Sequence, residues 1–284
     1  MACNSCPRNC KVDRNIETGF CGCDNRLKIA KIMKHFGEEP VITGTNGSGT
    51  IFFSGCVLKC PFCQNFPVSH ELKGEFYTEK ELEKAIFDLA ESGVHNINLV
   101  TPTQYLNLLI PLLERIKPKL SVPVVYNTGG YELPEQIKRL EGLVDVYLPD
   151  FKYFDNEYGK RFSKVLNYFD YTTLSIKEML RQQPECVIED GLIKKGVIVR
   201  HLVLPYLYKD SIKIMEWLAK LENKPMVSIM RQYTPCYLAS EYKELSRRIT
   251  TFEYEKVTDR CAELGLEGFT QLKGCETLDM TPDF

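Results

Sequence analysis

Three cysteines stand close together in the run Gly55-Cys56-Val57-Leu58-Lys59-Cys60-Pro61-Phe62-Cys63-Gln64-Asn65. An iron–sulfur cubane normally takes four cysteine ligands. Three thiolates from one short loop therefore leave one iron with an open position, which the amine and carboxylate of a bound amino acid can chelate. A zinc knot is the alternative, but zinc sites usually pair a CxxC with a second CxxC or with histidines, and neither lies close to this loop.

A second set precedes it: Cys3-x2-Cys6-x3-Cys10, then Cys21 and Cys23. A structural zinc site, a second iron–sulfur cluster and disulfides are the three readings, and thiolates serve both metals. A segment this short buries too little apolar surface to fold alone, so a metal that organises it is physically reasonable. Cys186, Cys236, Cys261 and Cys275 are scattered and are expected to behave as small core residues.

Clustering of the 12 cysteines in a chain of 284 residues is metal-like rather than the pattern of a small secreted disulfide scaffold. The N-terminus carries Cys, Arg and Asn instead of an apolar signal region, and no apolar run is long enough for a membrane span, so the chain reads as cytoplasmic. A net charge of -2 offers no electrostatic footprint for nucleic acid or an anionic membrane.

The elements that must position the cysteines follow from the apolar pattern. Residues 1–45 read as a Cys-rich, metal-binding appendage without sustained helical period, ending in the glycine stretch Gly44 to Gly49, a turn or linker. Residues 46–284 form the main domain. Thr50 to Phe53 is a short buried strand, and the cysteine loop follows it directly. Thr78 and Glu81 make a capping box for a helix through Leu82, Ile86 and Leu89 that stops at Gly93. Strands are expected at Asn96 to Val100, Val122 to Asn127, Val144 to Leu148, Gly196 to Leu204 and Met226 to Met230. Helices are expected over Thr103 to Ile116, from Pro134, over Ser211 to Leu221, near Glu241 to Ile249 and over Glu253 to Leu264, before a last apolar run, Gly268 to Leu272.

Six near-continuous apolar strands separated by helices argue for a parallel sheet covered on its outside. A closed eight-fold barrel wants about 250 residues, so the fold class is α/β, a partial TIM-like (β/α)6 barrel with the short N-terminal appendage. Ligands then sit at the C-terminal strand ends.

An electron passed from such a cluster into the sulfonium of S-adenosylmethionine breaks a C–S bond, leaving methionine and a 5′-deoxyadenosyl radical. CxxxCxxC with an aromatic residue, Phe62, before the last cysteine resembles the signature of the radical S-adenosylmethionine superfamily. The stretch from Gly47 through Asn65, with Cys6-Pro7-Arg8-Asn9-Cys10, resembles its PflX-like branch, related to pyruvate formate-lyase activating enzyme. The resemblance extends over nearly the whole chain through Thr101-Pro102-Thr103, Tyr126 to Gly130, Pro149 to Lys152, Arg200 to Pro205 and Gln232 to Pro235.

The resemblance implies a [4Fe–4S] cluster on Cys56, Cys60 and Cys63, S-adenosylmethionine beside it, and an electron donor of flavodoxin or ferredoxin type. It also implies that Phe62 and Asn65 belong to the cofactor site. Thr101 and Thr103 stand where many members carry a Gly-Gly-Glu run that binds the methionine ammonium; Thr103 as a helix N-cap is the alternative. Asn127 is a candidate for ribose or carboxylate, with a turn before Gly129 as the alternative. Asp150 and Lys152 take the place of an Asp-Leu-Lys run that approaches the cofactor, a surface ion pair being the alternative.

Arg200 is a candidate carboxylate partner and His201 a further candidate; as neighbours on a strand they face opposite sides. Gln232 and Tyr233 are expected near the substrate opening, Tyr233 equally as core. The resemblance also selects Cys3, Cys6, Cys10 and Cys21, rather than Cys23, as the N-terminal metal set. The implied activity is abstraction of hydrogen from a backbone glycine of a partner glycyl radical enzyme. Modification of a small molecule or short peptide is the second reading, and a non-catalytic metal-binding or redox-sensing protein the third.

Overall fold

The computed structural model describes residues 3–274, 282 and 284. β-branched and aromatic runs form its strands: β1 (Leu27–His35), β2 (Ser48–Phe53), β3 (Glu75–Tyr77), β4 (Ile97–Val100), β5 (Val124–Thr128), β6 (Val146–Pro149), β7 (Val187–Glu189), β8 (Leu192–Leu202), β9 (Met226–Met230) and β10 (Gly268–Thr270). Between them lie α1 (Pro40–Thr43), α2 (Phe66–Ser69), α3 (Glu79–Glu91), α4 (Leu106–Ile116), α5 (Pro134–Lys138), α6 (Asn156–Ser163), α7 (Tyr168–Gln182), α8 (Tyr208–Ala219) and α9 (Thr251–Glu263).

The sheet runs β10-β9-β8-β6-β5-β4-β2-β1-β3, with β7 paired to β8. From β2 to β10 every pairing along this path is parallel, whereas β1 is antiparallel to both β2 and β3. Among the described residues the sheet does not close, so the expected partial barrel is what the chain forms. The last apolar run adds one more parallel strand, β10, to the six expected.

Two expectations change. The helical pattern near Glu241 to Ile249 forms only the short 3-10 turns Ala239–Glu241 and Lys243–Leu245, because its residues pack as a loop beneath the cysteine loop, where the Leu238 amide donates to the Pro61 carbonyl (2.9 Å). Within residues 1–45, Leu27–His35 is a strand of the main sheet and Pro40–Thr43 is a helix; Ser48 and Gly49 already belong to β2, so the glycine stretch is a turn into a strand. The helices α6 and α7 were not anticipated. Cys275 lies outside the described residues.

The two faces of the sheet carry different cores. The outer face packs beneath helices through Leu82 and Ile86 of α3, Leu109, Leu113 and Ile116 of α4, and Ile214 and Leu218 of α8. The inner core is small: Ile42 of α1 meets Val125, Val146, Leu148, Ile193 and Ile198. Because side chains alternate along a strand, the inner row continues from Val125 to Asn127 and from Ile198 to Arg200. Apolar packing thus gives way to polar groups toward the C-terminal strand ends.

Candidate radical site

The loop after β2 places Cys56, Cys60 and Cys63 on the wall of one cavity of about 660 Å³. Gly55 opens the loop with φ +83, and a Cβ there would strike Cys23 Sγ and the Cys21 carbonyl (2.8 Å). Only glycine fits both the left-handed backbone and the close crossing of the N-terminal segment. Gln104 ties the loop's start to the next strand end: its Nε2 donates to the carbonyls of Ser54 (3.0 Å), Gly55 (3.2 Å) and Thr101 (2.7 Å). Lys59 reaches the Ser69 carbonyl (2.6 Å), and Arg8 Nε donates to the Val57 carbonyl (2.8 Å).

Each thiol also has a polar neighbour. The Leu58 amide donates to Cys56 Sγ (3.4 Å), the Ser69 hydroxyl donates to Cys63 Sγ (3.2 Å), and Cys60 Sγ lies 3.0 Å from Ser163 Oγ. Burial pushes the Cys63 thiol up to about 12 against the Ser69 hydrogen bond. Burial likewise raises Cys60, opposed by the charge of Lys152. Buried thiols of this kind ionise when a metal centre takes the thiolate.

The residues present fit a cubane with an open iron. All three sulfurs face one space, and among the described residues its wall contains no fourth cysteine. No three potential ligands among the described residues converge as a single ion would require. In a cluster each thiolate binds a different iron, so the three sulfurs need not meet at one point.

Opposite the cysteines, the strand ends supply an ordered polar wall. Thr101, Asn127, Asp150, Lys152 and Arg200 all line the cavity. Arg200 is the hub: Nε donates to Asp150 (3.0 Å), Nη1 to Glu38 (3.0 Å) and Nη2 to Asn127 Oδ1 (2.6 Å). Lys152 Nζ donates to the other Asp150 oxygen (2.6 Å). Burial alone would raise the Asp150 carboxyl, but the Lys152 and Arg200 cations hold it below the ordinary carboxylate range. Burial alone would lower Lys152, yet Asp150 and the Cys60 sulfur keep its ammonium charged well above neutrality.

The ion pair weighed as a surface feature therefore exists, but in the cavity wall, with both side chains less than a fifth exposed. Phe62 is buried at the same cavity and meets Tyr233 edge-on at 6.0 Å between ring centres; Asn65 lines it too.

Three expected residues are placed elsewhere. Thr103 is buried at the start of a 3-10 turn and donates to Glu132 Oε1 (2.6 Å) instead of lining the cavity. His201 faces the outer core, as strand alternation requires, with Nδ1 2.6 Å from the Phe151 carbonyl; burial lowers it to about 4. Tyr233 is core, its hydroxyl donating to the Leu245 carbonyl (2.6 Å), whereas Gln232 does line the cavity.

Several neighbours of these residues were not anticipated. Glu38 and Glu39 lie at the inner end of the cavity, brought there by the turn into α1 that Pro40 begins. Tyr168 of α7 accepts from the Lys152 amide (2.9 Å) and reaches the Gly129 and Asp150 carbonyls (both 2.9 Å), joining the ends of β5 and β6. None carries a local sequence signal, since each acts only through contacts distant in the chain. The eleven described cysteines are all free, so the disulfide reading of the N-terminal set does not hold among them. Cys3, Cys6, Cys10 and Cys21 line a separate small cavity behind the cysteine loop. Among the described residues no helix is long and apolar enough to cross a membrane.

A model of the Radical SAM superfamily matches residues 50–218. The uncharacterized protein MJ0674 of Methanocaldococcus jannaschii is 34% identical over 275 residues, 93% of this chain and 75% of that protein. Among solved structures, a radical SAM methyltransferase from Sphaerobacter thermophilus superposes with a TM-score of 0.55 at 14% identity, covering 81% of this chain and 67% of that one. SuiB of Streptococcus suis, bound to S-adenosylmethionine, superposes with a TM-score of 0.54 at 16% identity, covering 81% of this chain and 51% of that one. The chain thus spans about half the length of SuiB. At these identities the likeness is one of fold.

Proposed function

The chain belongs to the radical SAM superfamily, and from that premise we propose that it is an activating enzyme, taking a hydrogen atom from a backbone glycine of a partner protein. Membership itself makes it an enzyme of S-adenosylmethionine radical chemistry that needs a reductant. The observation that carries the site assignment is the set of three thiols from one loop on one cavity, without a fourth cysteine in the described wall. When bound there, a [4Fe–4S] cluster supplies the electron that cleaves S-adenosylmethionine to methionine and the 5′-deoxyadenosyl radical.

The chain's own residues do the rest. Cys56, Cys60 and Cys63 bind the cluster, and the buried Phe62 and Leu58 shield it from water. Thr101, Asn127 and the Asp150–Lys152 pair present short polar groups for the cofactor's methionine and ribose. Arg200 is a positioning residue: by holding Asn127, Asp150 and Glu38 at once it prevents these side chains from reorganising as charge moves nearby.

A cavity of about 660 Å³ is within the range of small-ligand pockets and reaches past the strand ends to Glu38 and Glu39. Free cysteines suit a reducing compartment, so the reading includes a cytoplasmic setting and a flavodoxin- or ferredoxin-type donor.

Anaerobic reconstitution with iron and sulfide, then dithionite and S-adenosylmethionine, tests the chemistry. 5′-Deoxyadenosine is expected from the wild type and none from Cys60→Ala; retained cleavage refutes the assignment. Extract protein from cells grown on dideuterated glycine tests the substrate. Deuterium in the 5′-deoxyadenosine supports a glycine donor, and turnover with unlabelled product overturns it in favour of another substrate.

A further inference from the structure

We infer that Ser69 and His70 form a hydrogen-bond relay onto Cys63 that tunes the reduction potential of a cluster held by that sulfur, with His70 a positioning residue acting through the Ser69 hydroxyl. The inference rests on the proposed assignment of Cys63 to the cluster. The relay is continuous: Ser69 Oγ donates to Cys63 Sγ (3.2 Å), and His70 Nδ1 lies 2.8 Å from the same oxygen. A serine hydroxyl has one proton to give. Since that proton goes to the sulfur, the ring nitrogen is the donor to the oxygen, and the order runs from His70 through Ser69 to Cys63. A thiolate on iron accepts and does not donate, which fixes the same direction.

The local fold holds each member in place. The single turn of α2 ends on these two residues: the Ser69 amide donates to the Asn65 carbonyl (2.9 Å) and the His70 amide to the Phe66 carbonyl (2.8 Å). The cysteine loop grips the turn as well, with the Gly55 amide donating to the Val68 carbonyl (2.9 Å) and Lys59 Nζ to the Ser69 carbonyl (2.6 Å). Ser69 is buried and His70 half-buried. The His70 ring meets Tyr237 at 4.7 Å between centres, and Tyr237 stacks on Phe66 at 4.8 Å.

Tyr237 takes φ +52, a left-handed backbone that bulky residues rarely adopt. The Leu238 amide on the Pro61 carbonyl (2.9 Å) and the Cys236 thiol donating to the Phe62 carbonyl (3.4 Å) hold that turn against the cysteine loop. The strained turn thus presses an aromatic ring on the histidine behind a cluster ligand.

Cys60 has a comparable pair behind it, Ser163 Oγ (3.0 Å) and then the Tyr153 hydroxyl (3.1 Å), but both residues are wholly enclosed. The Cys63 branch ends on a half-buried ring instead. A hydrogen bond to a ligating sulfur draws charge from it, so it favours the reduced, more negative cluster and raises the potential. A donor behind the hydroxyl polarises it and strengthens that effect.

The test is the potential of the reconstituted full chain, from redox titration at one pH followed by electron paramagnetic resonance, with iron analysis confirming that each variant is loaded. In S69A the reduced-to-oxidised ratio at a given solution potential should fall roughly tenfold, about 59 mV for one electron. S69T, which keeps the hydroxyl, should stay near the wild type. H70F should lower the ratio about threefold, and H70N, whose amide can donate from the Nδ1 position, should restore it. S69A/H70F should match S69A, because the ring acts through the hydroxyl. An unchanged potential in S69A, a potential raised by H70F, or losses that add in the double variant overturn the relay. Should S69A hold no cluster, H70F against H70N decides, and equal potentials overturn it. A cluster whose spectrum and S-adenosylmethionine cleavage are unchanged in C63A would overturn the assignment of Cys63 instead, an outcome read without any potential.

Discussion

Glu132→Gln tests how the strand ends that carry the site are held. Glu132 is fully buried, and its Oε1 accepts from the hydroxyls of Thr103 and Thr128, which follow or end β4 and β5. Burial pushes its carboxyl from 4.5 up to about 7, opposed by hydrogen bonds from those two hydroxyls. Between these values the folded chain keeps a proton that the unfolded chain has released. Stability is therefore fully present below about pH 4.5 and is lost as pH rises through about 7.

At about 1.4 kcal/mol per pH unit, the loss approaches roughly 3 kcal/mol by pH 8. Glutamine keeps the acceptor for both threonines and carries no proton to lose. Urea denaturation of both proteins at pH 5 and pH 8 should show the variant ahead by only about 1 kcal/mol or less at pH 5. At pH 8 the variant should be roughly 3 kcal/mol more stable. Comparing the two proteins removes the contributions of other titrating groups, such as Asp210, which burial raises to about 6. Parallel pH profiles for the two proteins would refute the reasoning.

Other substitutions probe the cavity wall. Arg200→Met leaves Glu38 and Asp150 without their shared guanidinium and should cost about 3–5 kcal/mol at pH 7, less at pH 5 as a carboxyl takes up a proton; equal losses at both pH values in urea titrations would contradict the ion-pair account. Gly130→Ala places a Cβ against the Asp150 carbonyl oxygen at φ +81. It should lose about 2–4 kcal/mol in the same assay, and a neutral result would show that the strand ends can separate. Thr101 holds a left-handed backbone at φ +56, so Thr101→Gly should gain about 1 kcal/mol of stability. Its rate of 5′-deoxyadenosine formation should fall about fivefold with the lost hydroxyl; an unchanged rate would remove Thr101 from the cofactor site.

The cysteine loop was legible because its chemistry is local: ligand spacing and the residue before Cys63 are properties of adjacent positions. The strands were legible because a sheet buried on both faces demands uninterrupted apolar runs, and the capping box at Thr78 because it joins residues three apart. The pattern near Glu241 misled because a periodic segment forms a helix only where tertiary packing supports it, and here the chain passes beneath Pro61 as a loop. Thr103 and Asn127, alike as polar strand-end residues, separate only in three dimensions, one to Glu132 and the other to the cavity.

Sequence by itself determined that three thiolates share a short loop after a buried strand, inside an α/β chain of parallel strands. Only the tertiary structure decided which polar groups face them. Glu38, Arg200, Asn127 and Asp150 are far apart in the chain, and they meet because an open barrel bends its strands around one interior and alternation sends Arg200 inward and His201 outward. A charge network of that kind depends on distance through space, which residue spacing along a chain does not encode.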